Sequence, residues 1–136
     1  MSDGSADRTY FNAADSHQPR WAFNEAVRVD SGRLVVTSAV TGFEADGSLA
    51  KGDIVRQAEA AFSNLEAVLR SAGATMRDVI KVTVYLAEPF AVHRERLQPI
   101  RGRYLTADYP ASTLVQVSGF SHPDCLFQIE AMAVVG

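Results

Sequence analysis

The run from Asp78 to Leu86 constrains the fold most. Ile80, Val82, Val84 and Leu86 fall on one face of a period-two pattern, and Lys81, Thr83 and Tyr85 fall on the other. Such a strand wants an apolar layer on one side. The segment just before it supplies one. From Asp53 to Ala72, the residues Val55, Ala58, Phe62, Leu65 and Leu69 recur at spacings of three and four, which predicts an amphipathic helix. Asp53 stands where an N-cap accepts backbone N–H groups, and Gly73 follows as a C-terminal stop.

The remaining segments repeat the alternation between strand and helix. Ala26–Val29 and Leu34–Ser38 read as short strands flanking Asp30-Ser31-Gly32, a turn composition that predicts a hairpin. Glu44-Ala45-Asp46-Gly47 marks a turn, with Gly47 suited to positive φ. Phe90 to about Leu105 reads as a second helix, interrupted or started late by Pro99, with Arg94, Arg96, Arg101 and Arg103 on its polar side. Thr113–Val117 and Leu126–Val135 close the chain as strands. Residues 1–19 are polar and read as a flexible leader, partly ordered where Tyr10 and Phe11 dock, and residues 20–136 form one domain. The order is β-β-α-β-α-β-β, an α+β architecture in which both helices cover one face of a mixed sheet. Val35, Tyr85 and Leu114 are then expected on the other face, which predicts self-association.

Composition limits the function classes. The 136 residues are 47% hydrophobic, enough for a real core, and carry a net charge of -3, which argues against nucleic acid as the main partner. One cysteine, Cys125, can close no intrachain disulfide and rules out a cysteine-built metal site. No apolar run approaches the roughly 20 residues that span a bilayer, and the leader lacks a signal peptide's apolar core. The expectation is a cytoplasmic protein that binds neither membrane nor nucleic acid.

Several short motifs, taken in order, carry more information. Ala26-Val27-Arg28-Val29, Val36-Thr37-Ser38, Gln57, Asn64-Leu65, Ala72-Gly73-Ala74 and Asp78–Leu86 are followed by Tyr109-Pro110-Ala111 and Ile129-Glu130-Ala131-Met132-Ala133. This ordered set, from about Phe23 to Val134, resembles the RidA/YjgF family of reactive enamine and imine deaminases. The resemblance implies a chorismate-mutase-like subunit, a homotrimer around a central barrel of sheets, and three clefts between subunits that act on small molecules without a cofactor. It also exposes departures. The family's cleft tyrosine falls at Phe23, the glycine after Thr-Ser at Ala39 (beside Ser38), and the asparagine of the second helix near Leu97. The family writes Pro-Ala-Arg where this chain has Pro110-Ala111-Ser112, so a neutral hydroxyl replaces a guanidinium able to grip a carboxylate bidentately. The water-ordering glutamate of the last strand falls at Gln128, whose amide can donate and accept but is no base at neutral pH.

The expected site is therefore a modified cleft. Phe23, Ser38, Ala39, Phe90, Leu97 and Leu114 are the candidate substrate contacts, and Ser112, Gln128 and Glu130 are the candidate catalytic groups. Gln128 and Glu130 share a strand face by the period-two rule. Glu130 is the only carboxylate of that strand, and is read first as structural. Gln57 and Asn64, two helical turns apart, are read as buried hydrogen-bonding groups. His17, His93 and His122 stand at no metal-ligand spacing, so no metal is expected. The arginines of the second helix, with Glu95 interleaved, read as a solvated face, and Cys125 reads as core. With no arginine at 112, the cleft should prefer ligands lacking an α-carboxylate, or bind that group elsewhere. The functional expectation is a divergent RidA-like protein acting on an imine, an enamine or a related carbonyl-type intermediate. The rival readings are a non-catalytic metabolite-binding trimer and a protein-interaction or chaperone module.

Overall fold

The computed structural model describes residues 7–15, 22–106 and 108–136. Its elements are β1 (Arg8–Phe11), β2 (Ala26–Val29), β3 (Arg33–Val36), β4 (Val40–Thr41), α1 (Ile54–Ser71), β5 (Val79–Leu86), α2 (Phe90–Tyr104), β6 (Ala111–Gln116) and β7 (Phe127–Val135). A mixed sheet runs in the order β3-β7-β5-β6, with β4 also on β7, and α1 and α2 are layered on it. Only β5 and β6 are parallel; α2 makes the crossover between them. The architecture is the expected α+β layering.

α1 forms as its spacing requires. The Asp53 carboxylate accepts the Arg56 N–H at 3.0 Å, and Ile54, Ala58, Phe62, Leu65 and Leu69 are buried against the sheet. Gly73, at φ 79°, ends the helix: its N–H reaches the Arg70 carbonyl, and that of Ala74 the Leu69 carbonyl. This pair of bonds is a Schellman closure, which requires a left-handed residue at that point.

Four local expectations are corrected. Ala26–Val29 and Leu34–Ser38 form no hairpin with each other: β2 pairs with β1, and β3 lies along β7. The leader segment Arg8–Phe11 supplies the missing partner as a strand. In β5 a bulge between Val79 and Lys81 shifts the register against β7, so Val79 takes the buried position expected for Ile80. α2 runs unbroken through Pro99, which lies on the exposed side, where water can serve the carbonyl left without its N–H partner. On the sheet face away from the helices, Val35 and Leu114 are not found. Val35 stands opposite Ala133 and packs on the core, and Leu114 faces the helices. A one-residue change of phase exchanges the two faces of a strand. The exposed apolar groups on the uncovered face include Leu34 and Val36, 62% and 61% exposed, Met132, 44% exposed, and Val115, beside the expected Tyr85.

One close approach sets a steric test. A Cβ on buried Gly42 would collide with the backbone carbonyl of Gln57, whereas a Cβ on Gly102 in α2 meets nothing within 4 Å. Gly42→Ala is expected to lose about 3 kcal/mol or more of unfolding free energy. Gly102→Ala should gain up to about 1 kcal/mol from helix propensity. Denaturant melts of both variants check the contrast, and equal midpoints would refute it.

Candidate ligand cavity

A cavity of about 290 Å³ lies between α2, α1 and the β5–β6 edge of the sheet. Its walls follow from the strand and helix periods. Ser112 and Leu114 of β6 point to the helix side, in register with Val82 and Val84 of β5. Phe62 of α1 closes the inner end, stacked on Tyr104 at 5.1 Å and tilted against Phe127 at 6.1 Å. The small side chain of Ala58 leaves the space that these rings bound. Phe90 and Leu97 enter from α2.

The last wall is held by an asparagine clamp. Asn24 donates its backbone N–H to Pro110 O at 3.1 Å and its side-chain amide to Tyr109 O at 2.6 Å. This hooks the segment before β2 onto the start of β6 and brings Ala22 and Phe23 over the cavity. Five expected contacts, Phe23, Phe90, Leu97, Ser112 and Leu114, are thus brought together by three separate stretches of chain.

Among the described residues the polar groups of the lining are few: Ser112, Gln98 and Arg101. Arg101 donates from Nη2 to the Ala22 carbonyl at 2.9 Å. Burial pushes its pKa down from the ordinary guanidinium value. Among the described residues no carboxylate forms an ion pair with it. Its place corrects the reading of a solvated arginine face on α2. The other arginines differ: Arg103 lies 3.7 Å from Glu59, Arg94 stands over the Phe90 ring, and Arg96 donates to His93 Nδ1 at 2.6 Å. The signal for Arg101 was present in the sequence. Leu97, Ile100, Arg101 and Tyr104 follow the i, i+3, i+4, i+7 stripe, so Arg101 belongs to the inward face.

The remaining candidates lie elsewhere. Gln128 and Glu130 sit on the uncovered face of β7, as the period-two rule requires, opposite Tyr85 and Thr83. Gln128 donates to Thr41 Oγ1 at 3.0 Å. Glu130 accepts the Tyr85 hydroxyl, and this bond is the main cause that raises the Tyr85 pKa. Ser38 and Ala39 connect β3 to β4 at the far side of β7. Within one subunit these four do not line the cavity that holds Ser112.

Residues 14–135 match the family described as Endoribonuclease L-PSP. The chain belongs to the RidA/YjgF family. It is similar to Protein DfrA of Myxococcus xanthus, 34% identical over 82% of this chain and 84% of that protein. It is also similar to the 2-iminobutanoate/2-iminopropanoate deaminase of Mus musculus, 32% identical over 84% and 82% of the two chains. Among solved structures, YyfB of the Rid family from Yersinia pestis superposes with a TM-score of 0.84 at 29% identity, covering 93% of this chain and 98% of that one.

The RidA/YjgF landmarks outside the cavity have structural work. Asn64 donates to the carbonyls of Thr41 and Phe43, both at 3.0 Å, and Gln57 is fully buried in its own network. His93 is buried: with Arg96 donating to Nδ1, its Nε2–H must donate to Glu88, 2.6 Å away. His122 accepts the Asp124 N–H in the turn before β7, and Cys125 is buried against Phe127. His17 lies outside the described residues. Among the described residues, no group of three or more His, Cys, Asp or Glu side chains could hold a metal ion, and no helix is long and apolar enough to cross a membrane.

The Tyr85–Glu130 bond has a pH consequence. A raised folded-state pKa contributes stability that is complete below the unfolded phenol value and is lost as pH rises through the folded value. Stability should therefore fall on the alkaline side, above the ordinary phenol pKa of about 10. In an absorbance titration Tyr85 is expected to ionise late, and Tyr85→Phe should remove that late component. An unchanged titration in the variant would refute the assignment.

Proposed function

We propose that this chain is a divergent RidA-family protein whose cavity takes a small organic imine, enamine or related carbonyl-type intermediate. We further propose that the cavity is one wall of a cleft between subunits of a homotrimer. The observation that carries the reading is the cavity: it gathers Phe23, Phe90, Leu97, Ser112 and Leu114 in a chain whose relatives include a named imine deaminase. The exposed Leu34, Val36 and Met132 support assembly, because a face of this kind is normally covered by another copy. A neighbouring subunit would then supply Ser38, Ala39 and Gln128 to complete the cleft.

Hydrolysis of an imine adds water to the C=N carbon and releases ammonia, leaving a carbonyl. The step needs a group that accepts the water's proton and passes it to nitrogen. Gln128 can hold a water by hydrogen bonds but cannot accept its proton. The second reading, a trimer that binds a metabolite without turnover, is favoured by one observation. Among the described residues, Arg101 is the only ionisable side chain lining the cavity, and Glu130 is engaged by Tyr85 on the other sheet face.

Light scattering should return three times the 14.7 kDa chain mass; a monomer mass would remove the cleft. Imines generated from common amino acids should be hydrolysed slowly. Losing one charge-assisted contact costs on the order of 1.5–3 kcal/mol, roughly tenfold to a hundredfold in binding. Ser112→Arg with Gln128→Glu is expected not to restore turnover. The new guanidinium would share a partly buried cavity with Arg101, and Phe23 still lacks the tyrosine hydroxyl. Efficient hydrolysis by an intact double variant would show instead a simple loss of two groups from an ordinary deaminase.

A further inference from the structure

We infer that Arg101 is the ligand anchor of this cavity, and that the ligand is a small organic carboxylate with an apolar body, held by its anionic head against α2. This rests on reading the cavity as the ligand site. The first support is electrostatic. A guanidinium withdrawn from water loses hydration, and that loss is offset only by an opposite charge or a full set of hydrogen bonds. Arg101 has one fixed acceptor, the Ala22 carbonyl at 2.9 Å, and among the described residues it has no carboxylate partner. A planar fork with donors to spare at the rim of a cavity suits a carboxylate, which it can hold through two parallel bonds.

The second support is the division of chemistry along the cavity. The charged group and Gln98 come from α2, one turn apart, while the opposite wall of Leu114, Val84 and Phe127 is apolar. Ser112, where the family's arginine would stand, adds only a hydroxyl on the β6 wall. An amphipathic anion meets both regions at once, with its head toward α2 and its body toward the sheet. The single contact to Ala22 O has a further use: it ties the anchor to the segment that carries Phe23, so the head group and the aromatic cover are set by one bond.

The test uses phenylacetate and phenylacetamide, which share shape and differ in charge, titrated calorimetrically into the full-length protein at low ionic strength. Phenylacetate should bind about tenfold tighter or more, the range of one charge-assisted contact. Arg101→Gln should erase that difference while leaving the amide's affinity unchanged, and Arg101→Lys should keep only part of it. Arg103→Gln, on the same helix but paired outside with Glu59, should change nothing. In the unsubstituted protein the Arg101 Nε–H resonance should move with the acid and not with the amide, which tests the anchor even if a variant unfolds. Equal affinity for acid and amide, a preference that survives Arg101→Gln, or an unmoved resonance would overturn the inference. If both probes bind equally and Leu114→Trp blocks both, the cavity reading stands while the anchor fails. If neither binds, both fail together.

Discussion

Gln57 is the contact on which the rest of the subunit depends. Its side chain is fully buried: Nε2 donates to the carbonyls of Ala50 and Asp124 at 3.1 and 2.9 Å, and Oε1 accepts the Leu126 N–H at 2.8 Å. Three loop groups with no ladder partner are thereby satisfied by one amide. The Ala50 carbonyl also accepts the Asp53 N–H, but the Asp124 carbonyl and the Leu126 N–H, left bare, would each cost about 1–3 kcal/mol. The same residue fixes a third segment from its backbone, because Gly42 passes so close to its carbonyl that only hydrogen fits. One turn of α1 thus holds the approach to the helix, the end of β4 and the entry to β7. Where β7 begins decides which of its residues face the helices, and hence that Phe127 closes the cavity while Gln128 points away.

That phase separates two chemistries on one strand. The helix side of the sheet is apolar and leads to the cavity. The other side carries Lys81, Thr83, Tyr85, Gln128 and Glu130 among exposed Leu34, Val36 and Met132. Lys81 donates to Thr113 Oγ1 at 2.6 Å and Tyr85 to Glu130, so this face is polar but internally paired. A face with satisfied polar groups and unsatisfied apolar ones suits a partner surface better than a catalytic floor. This is why the proposed cleft needs two copies: what the family resemblance assigns to one site lies, within a single subunit, on both sides of the sheet.

The sequence made most of the fold legible, because the long periodic segments obey local rules. α1 has a cap, a stripe and a glycine stop, and β5 alternates from Lys81 to Leu86. The failures occur where a non-local choice overrides a local signal. Asp30-Ser31-Gly32 has turn chemistry, yet β3 finds its ladder on β7 and β2 finds one on the leader strand. The bulge at Ile80 leaves no local mark, since a β-branched apolar residue fits a regular strand equally well. Pro99 reads as a break, but its exposed side removes most of the penalty. The face of Leu114 is not legible locally, because β6, six residues of mixed polarity, has no clear phase. Arg101 is the opposite case: its helical phase points inward while its charge alone points to solvent.

That last residue bears most on what the protein can do. A guanidinium on β6 and one on α2 would approach the same cavity from opposite walls. Moving the charge across a cavity of about 290 Å³ turns an anionic ligand end for end, because the head group must follow the charge and the apolar body must fill what remains. The reacting carbon of a turned ligand no longer lies where a group on β7 could direct water at it, so a glutamate at 128 would lose its purpose. Gln128, where the family resemblance places a glutamate, is then consistent with the proposed anchor at Arg101. With the anchor at Arg101, the two departures that the family resemblance marks at Ser112 and Gln128 fit one ligand orientation, and Phe23 and Phe90 still hold the apolar body.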